Sequence, residues 1–225
     1  MIPLYDENRS GRRPYVTWML ILANVLVFLW QISRGFTNED FFEYGAIPIL
    51  IMNGQRLQTL FTSMFMHADI LHIGGNMLYL YVFGDNIEDQ FGRPKYLLLY
   101  LLFGIIGGVT HAWISVAIGD YLGMWTPAIG ASGAISGVLG AYLILFPNTR
   151  IVTLTFVFRF IRVSRIPALY YLGFWFVYQF LMWFLDPFSG VAVWAHVGGF
   201  IAGAIAALAI KGPSSRRRQY REYYY

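Results

Sequence analysis

Apolar runs set the plan of this chain. Long stretches with few charges fall near residues 15–33, 70–88, 95–117, 131–146, 167–185 and 191–210. A hydrocarbon core about 30 Å thick needs roughly 20 apolar helical residues, so the pattern predicts six transmembrane helices. The second run is weakened by its polar HIGGN, and the fourth is short. Residues 34–69 form a long mixed segment containing FFEYGAIPILIM, expected to be partly helical and to lie in or on the outer interface. The expected fold class is an all-α membrane protein: a six-helix bundle at 15–210 with a long first outer loop and a short central fourth helix. It is flanked by a cytoplasmic N-terminal segment (1–14) and a basic cytoplasmic tail (211–225).

Composition strengthens this picture. Of 225 residues, 57% are hydrophobic and only 12% charged, more apolar surface than a soluble domain of this length can hide. Cysteine is absent, which excludes disulfides, iron–sulfur clusters, thiol nucleophiles and cysteine-ligated zinc. The opening MIPLYDENRSGRRP is polar and the run after it is long enough to span, so it does not read as a cleaved signal.

A net charge of +4 would by itself suggest nucleic acid, but in a membrane protein the placement of Lys and Arg says more than their sum. Under the six-span plan, 14 of the 16 fall on one face: Arg9, Arg12 and Arg13, then Arg93 and Lys95, then Arg150, Arg159, Arg162 and Arg165, then five from Lys211 onward. Arg34 and Arg56 fall on the other. Excess positive charge marks the cytoplasmic side, so both termini are expected in the cytoplasm of a multi-pass protein of the cell membrane. The tail RRRQYREYYY reads as a segment drawn to anionic lipid headgroups. Membrane lipid, rather than nucleic acid, is the expected partner of this charge.

Sidedness turns scattered polar residues into a site. Spans two, four and six run inward from the outer face. His72 and Asn76, four apart on one helix face, lie at the outer end of span two. Ser132 opens span four, and His196 lies one turn into span six. Polar groups inside a bilayer are costly, face the bundle interior and mark function. From Ser132 to Phe146 a helix rises only about 22 Å, so TPAIG must dip below the outer surface ahead of it. Irregular backbone at that depth is tolerated only where it is buried in protein or lines a water-filled cavity. Gly133, Gly137 and Gly140 share a face, and Gly199 and Gly203 form a GxxxG. One reading makes them packing motifs alone. The other has close packing bring Ser132 and His196 within hydrogen-bonding distance, and the agreement in depth favours it.

The chemistry follows from residue type. A serine hydroxyl is a weak nucleophile until a base takes its proton, and neutral imidazole is poised to accept it. Asp120 lies in an outer loop, and Asp69 and Asp186 flank spans, so no aspartate suits the third place of a triad. A Ser132–His196 dyad is expected, its imidazole oriented by packing. The oxyanion that develops needs donors: the backbone N–H of Ser132 at a helix N-terminus, with His72 and Asn76. His111 reads as a satisfied structural hydrogen-bonder, and His67 as support for the segment entering span two. No metal site is expected: HADILH sets its histidines five apart, off the spacing of a helical pair, and HExxH is missing.

These motifs resemble the rhomboid family of intramembrane serine proteases. The likeness is carried by GASG around Ser132, AHVGGFIAG around His196 and HADILHIGGNM leading into span two. FGDNIEDQFG and the opening IPLYDEN resemble bacterial members. GxSG alone is a weak signal; together with AHxxGxxxG and HxxxN, each on its expected span, it is specific, and the likeness covers nearly the whole chain. It implies Ser132 as nucleophile, His196 as general base, and His72 and Asn76 in the oxyanion hole. It also implies a six-helix protease domain at 15–210, no cofactor, and substrate entering by spans two and five and the first outer loop. The implied substrates are single-span membrane proteins cut near the outer surface, with a small residue before the cleaved bond and helix-destabilising residues nearby.

Two positions depart from the pattern. Ser136 stands where some members have a tyrosine stacked on the histidine, and Gln58-Thr59 where some have a Trp–Arg pair. Two other classes remain in view. A catalytically silent relative that binds membrane clients would be favoured by loss of the serine or histidine, and both are present. A small transporter would call for paired half-helices and an internal repeat, which are not evident.

Overall fold

Each apolar run coincides with a helix in the computed structural model, which describes residues 1–8, 10–157, 160–185 and 191–210. In chain order the elements are β1 (Ile2–Asp6), α1 (Tyr15–Arg34), α2 (Asn38–Tyr44), α3 (Pro48–Met52) and α4 (Thr59–Thr62). A 3₁₀ turn at Ser63–Phe65 leads to α5 (Ile70–Phe91), α6 (Arg93–Ala117) and α7 (Ser132–Leu145). β2 (Arg150–Val157), β3 (Phe160–Pro167), α8 (Ala168–Leu185) and α9 (Val193–Ile210) complete the chain. Among the described residues four helices, α1, α6, α8 and α9, are long and apolar enough to cross a membrane. The chain is a multi-pass membrane protein. Arg9, Arg159, Asp186 and the basic tail 211–225 lie outside the described residues.

The centre of the molecule is α7. Every residue from Gly133 to Tyr142 is buried, as expected of a helix apolar on all sides. It packs against α9, α6 and α5. α1 joins α5 through a buried carboxylate. It starts after Pro14 without a side-chain cap of its own, and Glu88 of α5 accepts from the N–H groups of Val16 and Thr17 and from the Thr17 hydroxyl. A carboxylate there satisfies unpaired N–H donors and meets the positive end of the helix dipole.

The loop between α1 and α5 is tied down by two polar side chains. Gln31, fully buried on α1, donates to the His67 carbonyl at 2.9 Å and accepts from the His67 N–H at 3.0 Å. Arg56 donates to the carbonyls of Phe42 and Glu43, which anchors the loop beside Gln58-Thr59.

The structure corrects the all-α expectation in one respect. β1, β2 and β3 form an antiparallel sheet in that order; Ile2 faces Leu154 and Asp6 faces Ile151, while Arg150 faces Pro167. The cause is legible in VTLTF (152–156) and IRVS (161–164), where apolar residues alternate with Thr, Arg and Ser and most are β-branched. Period two with β-branching is the strand signature, and reading this stretch only for its arginines passes over it. Nor is the N-terminal segment detached from the bundle. Asp6 accepts from Asn86 of α5 and from the Tyr142 hydroxyl of α7, and Arg165 of β3 pairs with Glu7 at 3.3 Å.

Burial pushes the Asp6 carboxyl up to about 6, with the nearby Asp85 adding to the shift and the Tyr142 hydrogen bond opposing it. The sign follows from linkage. A carboxyl whose folded pKa is raised contributes stability that is fully present below its unfolded pKa and is lost as pH rises through about 6. Asp6→Asn is therefore expected to remove part of the fall in thermal midpoint between pH 4 and 7, an effect of a few degrees. Unfolding scans of both proteins in one detergent at several pH values check this.

Candidate active site

α7 begins at Ser132, so the nucleophile candidate sits in the first helical turn, where backbone N–H groups have no intrahelical partner. α9 runs alongside. The approach of the two helices is set by glycine: a Cβ on Gly199 would overlap the Gly133 carbonyl oxygen, and one on Gly203 that of Gly137. Backbones in direct contact bring the helix ends together. Ser132 Oγ lies 2.8 Å from His196 Nε2, within hydrogen-bonding range.

The segment before α7 is irregular, yet its polar groups are partnered. Ala128 exchanges N–H···O bonds of 2.9 and 3.0 Å with Ala46 of the first loop, and the Gly130 N–H donates to the Ser63 carbonyl at 2.9 Å. The first loop thus supplies the hydrogen bonds that this backbone would lack in hydrocarbon.

α5 supplies the second wall. Asp69 caps it, accepting from the N–H groups of Leu71 and His72 at 2.8 Å each; those bonds hold the Asp69 carboxyl below its usual range. The Ala68 N–H donates to His72 Nδ1 at 3.3 Å, so in a neutral ring the proton resides on Nε2. That nitrogen faces Gly130, whose φ is +117° and whose added Cβ would lie 2.7 Å from His72 Nε2 and 3.6 Å from Asn76 Nδ2. Only glycine fits here, on grounds of both backbone and space. Asn76 Nδ2 is buried and has no hydrogen-bond partner among the described residues. An unpaired buried amide is costly, and here it stands beside Gly130, two positions before Ser132, facing the same space as the His72 donor.

A cavity of about 630 Å³ connects these groups. Ser132, His196, His72 and Asn76 line it together with Tyr178 and Met182 of α8. All four residues singled out in the sequence therefore meet in one space. His67 instead supports the loop: its backbone is clamped by Gln31 and its ring packs edge-on to His72 at 5.0 Å. His111 departs from expectation, since its buried Nδ1 has no partner among the described residues. Among those residues no three His, Asp or Glu side chains gather closely enough to hold a metal ion.

Two residues of α8 escaped the sequence reading. Gln179 Oε1 lies 2.8 Å from His196 Nδ1, so the imidazole is held by a hydrogen bond and not by packing alone. Trp175 sets its ring 6.0 Å from that of His196 and stacks on Phe200, covering the histidine where Ser136 offers no ring. The Ser136 hydroxyl turns back to the Ser132 carbonyl at 2.6 Å. The signal for Gln179 was available: it is the one amide in ALYYLGFWFVYQFLMWFL, and a lone amide in an apolar span needs a partner.

Comparison with known proteins gives a consistent result. Residues 54–212 match the family model of the Rhomboid domain. The chain is 31% identical over 205 residues, 90% of its length, to the rhomboid protease GluP of Bacillus subtilis, of which it covers 36%. It is 31% identical over 200 residues, 83% of its length, to the mitochondrial RHOMBOID-like protein 12 of Arabidopsis thaliana, of which it covers 56%. With the mitochondrial presenilin-associated rhomboid-like protein of Homo sapiens it shares 31% identity over 153 residues, 64% of this chain and 36% of that protein. The chain thus spans between 36% and 56% of the length of these relatives.

Proposed function

The chain belongs to the rhomboid family, and we propose that it is an intramembrane serine endopeptidase that hydrolyses peptide bonds in or near the transmembrane segments of single-span membrane proteins. The observation that carries this reading is the 2.8 Å contact between Ser132 Oγ and His196 Nε2 at the wall of a cavity that also holds an unpaired amide donor. Ser132 Oγ attacks the carbonyl carbon while its proton passes to His196 Nε2, which then delivers it to the leaving amine. Water repeats the sequence on the acyl-enzyme and releases the serine. Negative charge on the carbonyl oxygen is met by the Ser132 N–H, His72 Nε2–H and Asn76 Nδ2–H. Donors fixed in advance at the position of developing charge account for much of the rate in such sites.

In this proposal α1, α5, α6, α7, α8 and α9 form a six-helix membrane bundle, with residues 15–210 as the protease domain. Both termini and the sheet face the cytoplasm of a cell-membrane protein, as the basic residues favour. The cavity opens toward the outer face because α7, 14 residues long, rises only about 21 Å and leaves its first turn below that surface.

Purified chain in proteoliposomes with a single-span reporter substrate tests the proposal directly, together with labelling by a fluorophosphonate. Cleavage and labelling that both depend on Ser132 and His196 support it. Asn76→Ala is expected to lower kcat by about 10² to 10³, the scale for one oxyanion donor, with little change in KM. A variant that raised KM alone would place Asn76 in substrate binding.

A further inference from the structure

α8 is an exposed, apolar helix; its buried residues are Ala168, Tyr171, Leu172 and Gln179. The first three lie in its opening turns, so Gln179 is alone in being buried over the remainder of the described helix. An amide withdrawn from water and lipid loses free energy unless both of its ends are bonded. Gln179 is bonded at both. Its Nε2 donates to the Trp175 carbonyl one turn back at 3.3 Å, and its Oε1 faces His196 Nδ1 at 2.8 Å.

These two contacts fix more than a position. The Trp175 carbonyl accepts only, so the amide nitrogen must face it; the flipped amide would set oxygen against oxygen. With that orientation fixed, Oε1 has no proton to give, and His196 Nδ1 must be the donor. A neutral imidazole carries one N–H. Once Nδ1 holds the proton, Nε2 presents its lone pair to Ser132 Oγ at 2.8 Å, the state in which it accepts the serine's hydrogen. The hydrogen-bond chain runs from a backbone carbonyl through an amide and a ring to the nucleophile.

Resting on the protease reading above, we propose that Gln179 is a positioning residue, the neutral third member of a Ser132–His196–Gln179 relay, and that it holds His196 in the Nδ1–H tautomer. A neutral amide suits this depth, since an unpaired carboxylate inside a membrane protein is costly. Because Gln179 and Trp175 both belong to α8, the seating of that helix and the tautomer of the base are coupled. α8 moved outward by an ångström or two would leave Nδ1 without its acceptor and let the proton move to Nε2, where the ring no longer functions as a base.

The test uses the full chain in proteoliposomes with the single-span reporter, alongside ¹⁵N-histidine-labelled protein whose His196 signals are assigned by difference from His196→Ala. In the parent, His196 should show protonated Nδ1 and unprotonated Nε2. Gln179→Leu should give a mixture of tautomers and lower kcat by about 10- to 100-fold, less than the roughly 10⁴-fold loss of a wholly misassigned tautomer because the mixture keeps some of the competent form. KM should stay within about twofold, since the side chain orients the base without binding substrate. Gln179→Glu in its neutral, protonated form can give its O–H to the Trp175 carbonyl and keep an acceptor for Nδ1–H, and it should restore both the spectrum and most of the activity. A parent ring protonated on Nε2, or a Leu variant with unchanged tautomer and kcat, overturns the proposal. The spectra decide this whether or not the chain cleaves the reporter. Absence of Ser132-dependent cleavage in the parent would instead count against the protease reading.

Discussion

Ser132→Ala is expected to abolish cleavage of a reconstituted single-span substrate while leaving the fold intact. The expected loss in kcat is about 10⁴-fold or more, since without the hydroxyl no acyl-enzyme can form and only the binding and oxyanion contributions remain. The fold should be indifferent. Among the described residues the hydroxyl bonds to His196, and the main-chain carbonyl that receives Ser136 is unaltered by the substitution. Thermal midpoints of parent and variant should agree within a degree or two, and fluorophosphonate labelling should vanish with activity. Normal turnover by the variant would end the protease proposal. A parent that captures the substrate without cutting it would favour the alternative of a silent client binder.

Much of the helical plan was legible because the physical signal was strong. An apolar run long enough to span leaves few choices, and the bounds of α1, α8 and α9 differ from the sequence reading by two residues at most. Ser132, His196, His72 and Asn76 were legible for a related reason: polar residues in apolar helices stand out, and the positive-inside rule gave them a common depth. The sheet was missed because its strands share the apolar, basic composition of a membrane-protein loop, and only a test for period two separates them.

Gln179 was missed for a different reason. The third member of a serine–histidine triad is expected to be a carboxylate, whereas what the ring needs is an acceptor, and an amide supplies one without charge. The roles of Glu88 and Gln31 are long-range, joining residues 71 and 36 positions apart. No local pattern carries such information.

The second large effect is expected at the glycines, where packing and chemistry meet. Gly199→Ala and Gly203→Ala each add one methyl group, and each methyl would overlap a backbone carbonyl oxygen of α7, that of Gly133 or of Gly137. A side chain in the way can rotate; a carbonyl inside a helix cannot without breaking its own hydrogen bond. The helices must therefore separate, and overpacking of this kind typically costs about 1–3 kcal/mol. For a chain of this size that corresponds to a drop in thermal midpoint of several degrees.

Activity should suffer more than stability. The 2.8 Å contact between Ser132 and His196 bridges these same two helices, and a misplacement of about 1 Å can cost 10²-fold in rate. Gly199 stands opposite Gly133, next to the nucleophile, so Gly199→Ala should lose at least about 10²-fold in kcat and most of its fluorophosphonate labelling. Gly203→Ala, one turn deeper, should lose less. Gly173→Ala is the control: among the described residues nothing lies within 4 Å of a Cβ at that position on α8, and alanine is the better helix former by up to about 1 kcal/mol, so activity should hold and the midpoint should not fall. Equal activity in all three variants would mean that α7 and α9 do not touch through their backbones, and the geometry that joins serine to histidine would fail with them.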